Sequence, residues 1–227
     1  MLTDIDQRVI EQIVSVFETG TSKPNYAAIA ILADGAGVSY GAHQATDASG
    51  SLDRIVRRYI DLCGPRARDL EPYVDYLLRN GTVKDGNSPA TRRLVKILQE
   101  AAHDPAMVEA QRTVFRESYW EPALGDARAM GLLDPLSMLV LYDTHIHSGA
   151  ARIPKLRRRF CELPPSLGGE ERAWTEAFIA ARHEWLSNFA NPVVRKTTYR
   201  TLALSSLADQ ERWDLKPPFK LRGQDIK

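Results

Sequence analysis

The sequence predicts a mainly α-helical protein with one small antiparallel β-sheet. Three observations carry this prediction. Apolar residues recur at helical spacing through most of the 227 residues, as they do on the buried face of amphipathic helices. Two short apolar runs flank the turn Asp34–Gly37, which is typical of a β-hairpin. The chain has no alternation of strands with helices, and this argues against a parallel α/β fold.

The first predicted helix covers residues 4–18. Its apolar residues share one face, and they are Ile5, Val9, Ile10, Ile13 and Phe17. Thr3 and Asp6 resemble a capping box at its start, although Glu or Gln is the usual partner. Gly20 is a suitable stop signal. Burial of the apolar face would fix the direction in which Glu18 points.

Two strands are predicted after this helix, over residues 26–32 and 38–40. The turn between them contains Asp34 followed by glycines, which tolerate left-handed backbone and let a ligand come close. The next segment, residues 41–47, is a polar loop. We expect its polar side chains either to contact a ligand or to satisfy the hydrogen bonds of the loop itself.

Helical periodicity continues through the rest of the chain. The predicted helices cover 51–63, 67–79, a segment from Pro89 after a Ser88 cap, a segment from Pro105 that is broken or kinked at Pro122, 122–130, a segment from Pro135, 170–189 and 193–202. The helix after Pro135 is apolar on most faces, which is typical of a central helix. Residues 152–168 are predicted to be loop-like, and residues 203–227 are predicted to form an extended C-terminal tail.

Two carboxylates bracket the first strand. Glu18 lies at a helix end and Asp34 lies at the hairpin turn. Cleavage of a glycosidic bond needs such a pair, because one acid protonates the leaving oxygen and one carboxylate activates water or attacks. The alternative is that Glu18 is a solvated helix-end residue and that Asp34 only forms the turn.

The stretch from Glu18 to Ser39 resembles the signature of the chitosanases of glycoside hydrolase family 46. That signature has a Glu at a helix end, a Tyr, seven residues, and then Asp-Gly-Arg-Gly-x-Thr. Here Tyr26 is followed by seven residues and by Asp34-x-x-Gly37-x-Ser39. The resemblance implies that Glu18 is the general acid, that Asp34 is the general base, and that the Ser39 hydroxyl helps to hold the attacking water.

The chain departs from the family pattern at three points. Ala36 occupies the position of the usual Arg, and Thr19 follows the Glu in place of Asn, Asp or Gln. The spacing from Glu18 to Tyr26 is also shorter than usual. The motif therefore supports the catalytic chemistry better than it supports the identity of the substrate.

The resemblance also implies a single lysozyme-like domain over residues 1–227, in which two helical lobes and the small sheet line a central cleft. The Tyr142-Asp143 pair followed by Gly149 is similar to the central helix of the family, where the Asp takes part in a buried charge network. A buried carboxylate needs cationic partners. The candidate partners of Asp143 are Arg182, Arg195 and Arg200.

The implied activity is endo-hydrolysis of a β-1,4-linked aminosugar polymer by an inverting mechanism, without a cofactor or a metal. Chitosan is the first expected substrate, and the glycan of peptidoglycan is the alternative because it shares the linkage. The expected substrate contacts are Tyr26, His43, Gln44 and Asp47. The amines of chitosan favour acidic groups along the cleft, and Asp47 and Asp53 are the candidates beyond the catalytic pair. A non-catalytic carbohydrate-binding or interaction domain on the same fold is the third alternative.

Composition limits the compartment and the partners. The formal charge is +1, which provides no general case for nucleic acid or membrane binding. Cys63 and Cys161 are too few for a disulfide scaffold, so we expect reduced, buried thiols or a single bridge. The N-terminus lacks the features of a signal peptide. We therefore expect synthesis in the cytoplasm, followed by secretion or delivery to the cell envelope by another route.

Two competing motifs are disfavoured. The segment Gly37–Gly41 fits G-x-S-x-G, but that nucleophile motif needs a helix directly after the Ser, and helical periodicity resumes only near Ser51. The run Asp143-x-His145-x-His147 suggests a metal site. On a helix, however, His145 points away from the face shared by the other two residues, so structural histidines are favoured.

Overall fold

A computed structural model describes residues 2–32, 37–80 and 88–227. The helices are α1 (Asp4–Thr19), α2 (Ser51–Asp61), α3 (Ala67–Asn80), α4 (Pro89–Ala101), α5 (Pro105–Phe115), α6 (Glu121–Met130), α7 (Pro135–Ser148), α8 (Ile153–Arg157), α9 (Glu171–Ser187), α10 (Pro192–Arg195) and α11 (Tyr199–Asp209). The strands are β1 (Ile29–Leu32), β2 (Gly37–Tyr40), β3 (Ala45–Thr46), β4 (Phe219–Leu221) and β5 (Gln224–Ile226). The mainly helical fold class with a small antiparallel sheet is confirmed.

The chain divides into two compact units. Unit 1 comprises Met1–Lys23 and Tyr119–Lys227, and unit 2 comprises Pro24–Ser118. Unit 1 contains α1, the helices from α6 onwards and the β4–β5 hairpin. Unit 2 contains the three-stranded sheet and α2 to α5.

Helix α1 begins and ends where its sequence signals predict. The Asp6 amide donates to the Thr3 hydroxyl over 3.2 Å, and the Thr3 amide donates to the Asp6 carboxylate over 2.7 Å, so the capping box is complete. Gly20 ends the helix in the left-handed conformation, with φ at 78°. The core face of α1 is buried from Val9 to Phe17, while Ile5 in the first turn remains exposed. Because this face of α1 packs on the core, Glu18 lies on the exposed side of the helix.

Helix α7 is the central helix of unit 1. All of its residues from Leu136 to His145 are buried, and it contacts α1, α6, α9 and α11. Across from it, Trp174 and Phe178 of α9 stack in the core with their ring centroids 5.2 Å apart. A helix that is apolar on most faces is typical of the centre of a domain, and the contacts of α7 with these helices place it there.

Two predictions about irregular segments are wrong. Residues 152–168 are not a continuous loop, because α8 forms there and buries Ile153 and Leu156. Residues 203–227 are not an extended tail, because α11 runs on to Asp209 and β4 then pairs with β5 in antiparallel register. In both segments a few apolar side chains find a core to pack against, and these contacts override a polar and proline-rich local sequence.

A separate helix near residues 122–130 is present, but Pro122 lies in its first turn rather than at a break inside a helix. After α5 the backbone forms one π-helical segment over Arg116–Trp120, and α6 then begins with Pro122 in its first turn. A proline fits there because the first-turn amides of a helix have no intrahelical acceptor. The two cysteines also differ from expectation. Cys63 and Cys161 are free and exposed rather than buried.

The sheet of unit 2 is a meander. β1 pairs with β2 from Ile29 opposite Tyr40 to Leu32 opposite Gly37, and β2 pairs with β3 at Ser39 opposite Thr46. β3 therefore lies inside the segment predicted to be a polar loop. Tyr40 packs into the core of α2, α3, α4 and α5, and its hydroxyl donates to the Leu98 carbonyl over 2.9 Å.

Gln111 of α5 connects this sheet to the helices of unit 2. Its Nε2 donates to the Tyr26 carbonyl over 3.0 Å, and its Oε1 accepts from the Ala42 amide over 3.2 Å. Gly41 lies beside it with φ at 79°, and a Cβ there would come within 2.0 Å of Gln111 Oε1. The side chain is buried, as is Ala42, so Gln111 provides the hydrogen-bond partner that the buried Ala42 amide needs.

Replacement of Gln111 by Ala should destabilise the protein by about 2–3 kcal/mol, because buried backbone groups lose hydrogen-bond partners. Denaturant unfolding of the variant measures this loss. The matched control is Gln99→Ala on the exposed surface of α4, which should change the free energy of unfolding by less than about 0.5 kcal/mol. Equal stability of the two variants would contradict the role given to Gln111.

Candidate active site

Glu18 lies in the last turn of α1, and a buried arginine holds one of its oxygens. Arg200 Nη2 lies 2.6 Å from Glu18 Oε1. The Glu18 side chain is 33% exposed, whereas that of Arg200 is 4% exposed. The carboxyl group is therefore fixed from the protein side and open on the other side, as a group that meets a substrate must be.

Arg200 joins Glu18 to the interior of unit 1. Its Nη1 lies 2.6 Å from Asp143 Oδ1, and its Nη2 also donates to the Phe17 carbonyl over 3.3 Å. The Tyr199 hydroxyl donates to the same carbonyl over 2.6 Å. Carbonyls in the last turn of a helix lack intrahelical donors, so α11 both caps α1 and orients its Glu18.

Asp143 is fully buried between two guanidinium groups. Arg182 Nη1 lies 2.7 Å from Asp143 Oδ2, and both side chains have no exposed surface. Burial alone would raise the pKa of the Asp143 carboxyl, but Arg182 and Arg200 hold this pKa below its ordinary value. We call Glu18, Arg200, Asp143 and Arg182 the ion-pair chain.

Arg195, the third candidate partner of Asp143, is not part of the ion-pair chain. Its Nη1 donates to the carbonyls of Phe189 and Ala190 over 2.7 and 3.0 Å, and the residue is exposed. It ends the short α10, where it satisfies carbonyls just beyond the end of α9. The sequence offered Arg195 and Arg200 as equivalent candidates, and the position of each helix separates them.

The other predicted catalytic residues belong to unit 2. Asp34 lies outside the described residues. Ser39 on β2 is buried, and its hydroxyl donates to Gln44 Oε1 over 3.0 Å. Gln44 Nε2 in turn donates to the Gly41 carbonyl over 3.0 Å. These hydrogen bonds of Gln44 connect β2 to the loop that follows it. Contact of Gln44 with a substrate stays a prediction.

The remaining predicted contacts are also engaged by the protein. The His43 ring stacks on Phe115, with the ring centroids 3.4 Å apart and the planes within 10°. Burial lowers the pKa of His43 to about 4, so the ring is neutral at ordinary pH. The Asp47 side chain is buried. Asp53 accepts from Arg57 Nε at 2.9 Å, and the Tyr26 carbonyl accepts from Gln111.

The competing motifs do not form the sites they suggest. Ser39 is followed by an antiparallel strand, and α2 begins only at Ser51, so the nucleophile motif lacks its helix. His145 Nε2 lies 2.8 Å from the Asp126 carboxylate, whereas His147 lies beside Arg182.

Within the described residues, no helix is both long and apolar enough to cross a membrane.

Comparison with known proteins decides the family. The model of glycosyl hydrolase family 46 matches residues 12–219. This chain belongs to that family. The family match thus confirms the resemblance read from the Glu18–Ser39 stretch, and the protein is a glycoside hydrolase.

Family 46 relatives cover nearly the whole chain. The chitosanase of Bacillus subtilis (strain 168) is 26% identical over 230 residues, which span 96% of this chain and 82% of that protein. A mutant chitosanase of Bacillus subtilis MY002, crystallised with 6 GlcN, matches at 25% identity and a TM-score of 0.85 over 100% of both chains. The family 46 chitosanase of Gynuella sunshinyii, in complex with chitotetraose, matches at 27% identity and a TM-score of 0.83 over 99% of this chain and 98% of that chain.

Sequence reasoning about this family 46 enzyme missed two residues near its predicted site. Gln111 carries no sequence signal, because its acceptor and donor partners lie far away in the chain. His147 does carry a sequence signal, because it lies four residues after Asp143 and shares a helix face with it. In the sequence, this spacing was interpreted only as a possible metal motif. The structure places His147 against Arg182 instead.

Replacement of Asp143 by Asn should destabilise the protein by about 3–5 kcal/mol, because the buried Arg182 then lacks a counter-charge and Arg200 keeps only Glu18. The matched control is Asp69→Asn, which removes one exposed partner of Arg66 and should cost far less, because exposed ion pairs contribute little to stability. Denaturant unfolding of both variants at neutral pH measures the difference. A loss at position 143 no larger than that at position 69 would show that the ion-pair chain does not support the fold.

Proposed function

We propose that this family 46 enzyme is an endo-acting chitosanase. The observation that carries the proposal is the partly exposed Glu18, which Arg200 holds at the end of the ion-pair chain. Family membership supports the reaction class. The relatives described with 6 GlcN and with chitotetraose support the substrate.

In this proposal Glu18 donates a proton to the leaving glycosidic oxygen. The proton transfer leaves a carboxylate at a point where Arg200 already supplies a positive charge. A group that is oriented before the reaction and stabilises charge as it develops lowers the barrier without reorganisation. Arg200 cannot swing towards solvent during the step, because Asp143 and the Phe17 carbonyl also hold it.

Asp34 is the proposed general base that takes a proton from the attacking water. The Ser39 hydroxyl donates to Gln44, and its oxygen retains lone pairs that can accept a hydrogen bond from that water. Attack by water from the face opposite the leaving group inverts the anomeric centre. The product of a β-linked substrate is then an α-anomer.

Peptidoglycan is the second candidate substrate, because the acidic side chains expected to bind the amines of chitosan are paired or buried. Chitosan carries amines that acidic side chains would bind, yet Asp53 is paired with Arg57 and the Asp47 side chain is buried. The formal charge of the chain is +1, so no general acidic bias compensates. A muramidase, acting as a lysin or a delivered effector, would need fewer acidic contacts because its substrate is N-acetylated.

We also propose that the enzyme acts outside the cytoplasm, after secretion or delivery to the cell envelope. Both candidate substrates are extracellular polymers, which supports this location.

Product analysis tests the substrate and the stereochemistry together. The purified protein should release oligomers with new reducing ends from chitosan and not from purified sacculi. Proton NMR during the first minutes should show α-anomeric ends before mutarotation, as inversion requires. Reducing ends from sacculi alone would replace the chitosanase proposal with a muramidase. Initial β-anomers would contradict the inverting mechanism.

Replacement of Glu18 by Gln should lower kcat on chitosan by about 10³-fold, because general acid catalysis contributes 10²–10⁴-fold. The control is Glu11→Gln on the same helix, whose carboxylate accepts from Gln7 and should not affect kcat. Thermal unfolding of both variants separates activity from stability. Wild-type kcat in the Glu18→Gln variant would remove Glu18 from the mechanism.

A further inference from the structure

His147 lies in the last turn of α7, four residues after Asp143. Residues at this spacing share a helix face, and here both face Arg182 of α9. Arg182 Nη1 pairs with Asp143 Oδ2, and Arg182 Nη2 lies 3.4 Å from His147 Nδ1. The imidazole thus contacts the inner end of the ion-pair chain.

The chemistry of arginine decides the direction of this hydrogen bond. A guanidinium group has only N–H donors, so His147 Nδ1 must be the acceptor and the ring proton must be on Nε2. The Ser148 hydroxyl, 3.3 Å from the same Nδ1, can then also donate to it. A protonated ring carries N–H on both nitrogens, and it could accept neither bond.

Arg182 has few other acceptors among the described residues. Its side chain is fully buried, and its Nε has no hydrogen-bond partner there. Within the described parts of the chain, Nη2 donates to the Asp143 carbonyl over 3.4 Å and to His147. Loss of His147 would therefore leave more of a buried cation without acceptors, which is costly in a low-dielectric interior.

The charges around His147 favour its neutral form. Burial, together with the Arg200 and Arg182 guanidiniums, lowers the pKa of His147 to about 4, although the Asp143 carboxylate acts in the opposite direction. The ring consequently keeps its acceptor across the neutral and mildly acidic range. Below pH 4 the added proton would remove the acceptor and repel both arginines.

We propose that His147 is a positioning residue of the glycoside hydrolase reaction. Its neutral Nδ1 orients Arg182, Arg182 orients Asp143, and Asp143 holds Arg200 against Glu18. The inference rests on the proposed function of Glu18 as general acid. His147 does not touch the reacting atoms in this scheme; it acts through the ion-pair chain.

Three variants test the kinetic part on chitosan. His147→Leu removes the acceptor and should lower kcat about tenfold with KM within twofold, since a lost buried hydrogen bond is worth about one power of ten in rate. His147→Asn places an amide oxygen near the position of Nδ1 and should retain kcat within about threefold. The control His145→Asn alters the contact with Asp126 and should lower the melting temperature without changing kcat.

The pH profile separates positioning from packing. In the wild type, kcat should fall as His147 becomes protonated around pH 4, whereas the His147→Asn variant has no proton to gain there. The ratio of the wild-type kcat to that of the His147→Asn variant should therefore decrease from pH 6 to pH 4. A constant ratio, or a His147→Leu variant with wild-type kcat, would overturn the positioning role.

A readout without turnover keeps the inference apart from the proposed function. Nitrogen-15 NMR of histidine-labelled wild-type protein, with the His147 signals assigned by their absence from the His147→Asn variant, should show an unprotonated Nδ1 and titration well below pH 6.5. A proton on Nδ1 would overturn the inference even if chitosan is hydrolysed. If the protein hydrolyses neither chitosan nor sacculi, the proposed function is overturned, and so is the role of His147 in the reaction. The NMR signals still decide whether Nδ1 of His147 accepts from Arg182.

Discussion

The buried carboxylate of Asp143 is the constraint on which the rest of unit 1 depends. A charge without exposed surface needs counter-charges and hydrogen bonds to remain ionised. Asp143 obtains them from Arg182 on α9 and Arg200 on α11. Arg200 then reaches α1 through Glu18 and the Phe17 carbonyl. One buried charge therefore fixes four helices, and it fixes the orientation of the proposed general acid as a consequence.

The need to orient Glu18 explains why a costly ion-pair chain lies in a core that is mostly apolar. Replacement of buried ion pairs by apolar residues is often neutral or stabilising, so stability alone does not require the ion-pair chain. Glu18 does require it, because a carboxyl at a helix end has many rotamers and only a fixed neighbour restricts them. Arg200 is that fixed neighbour on the buried side of Glu18, while the other side of the Glu18 carboxyl group remains exposed.

Unit 2 positions its polar residues in a different way. Two of its buried polar side chains make neutral hydrogen bonds: Gln111 connects α5 to the sheet, and Ser39 donates to Gln44. His43 stacks on Phe115 and stays neutral because it is buried. Gln44 and His43 thus support the loop that carries them, and their contact with a substrate stays a prediction.

Local signals in the sequence were sufficient for the parts of the fold that depend on neighbours in the chain. The capping box of α1, the Ser88 cap of α4 and the stop at Gly20 form as predicted, because each involves residues a few positions apart. The wrong predictions fall where distant packing decides. Residues 153–157 became α8, and the C-terminal segment became a hairpin, since each gained a core that its own sequence does not reveal.

The same division holds for the candidate site. The sequence by itself indicated the family, proposed Glu18 as the general acid and predicted that Asp143 needs arginine partners, because these follow from a short motif and from the cost of burying a charge. Only the tertiary structure decided that Arg200 and Arg182 are those partners, that Arg195 is not, and that His147 lies against Arg182. The contacts of Asp143 with Arg200 and Arg182, and that of His147 with Arg182, each join residues on different helices. Helix packing sets such distances, and no local pattern in the sequence records them.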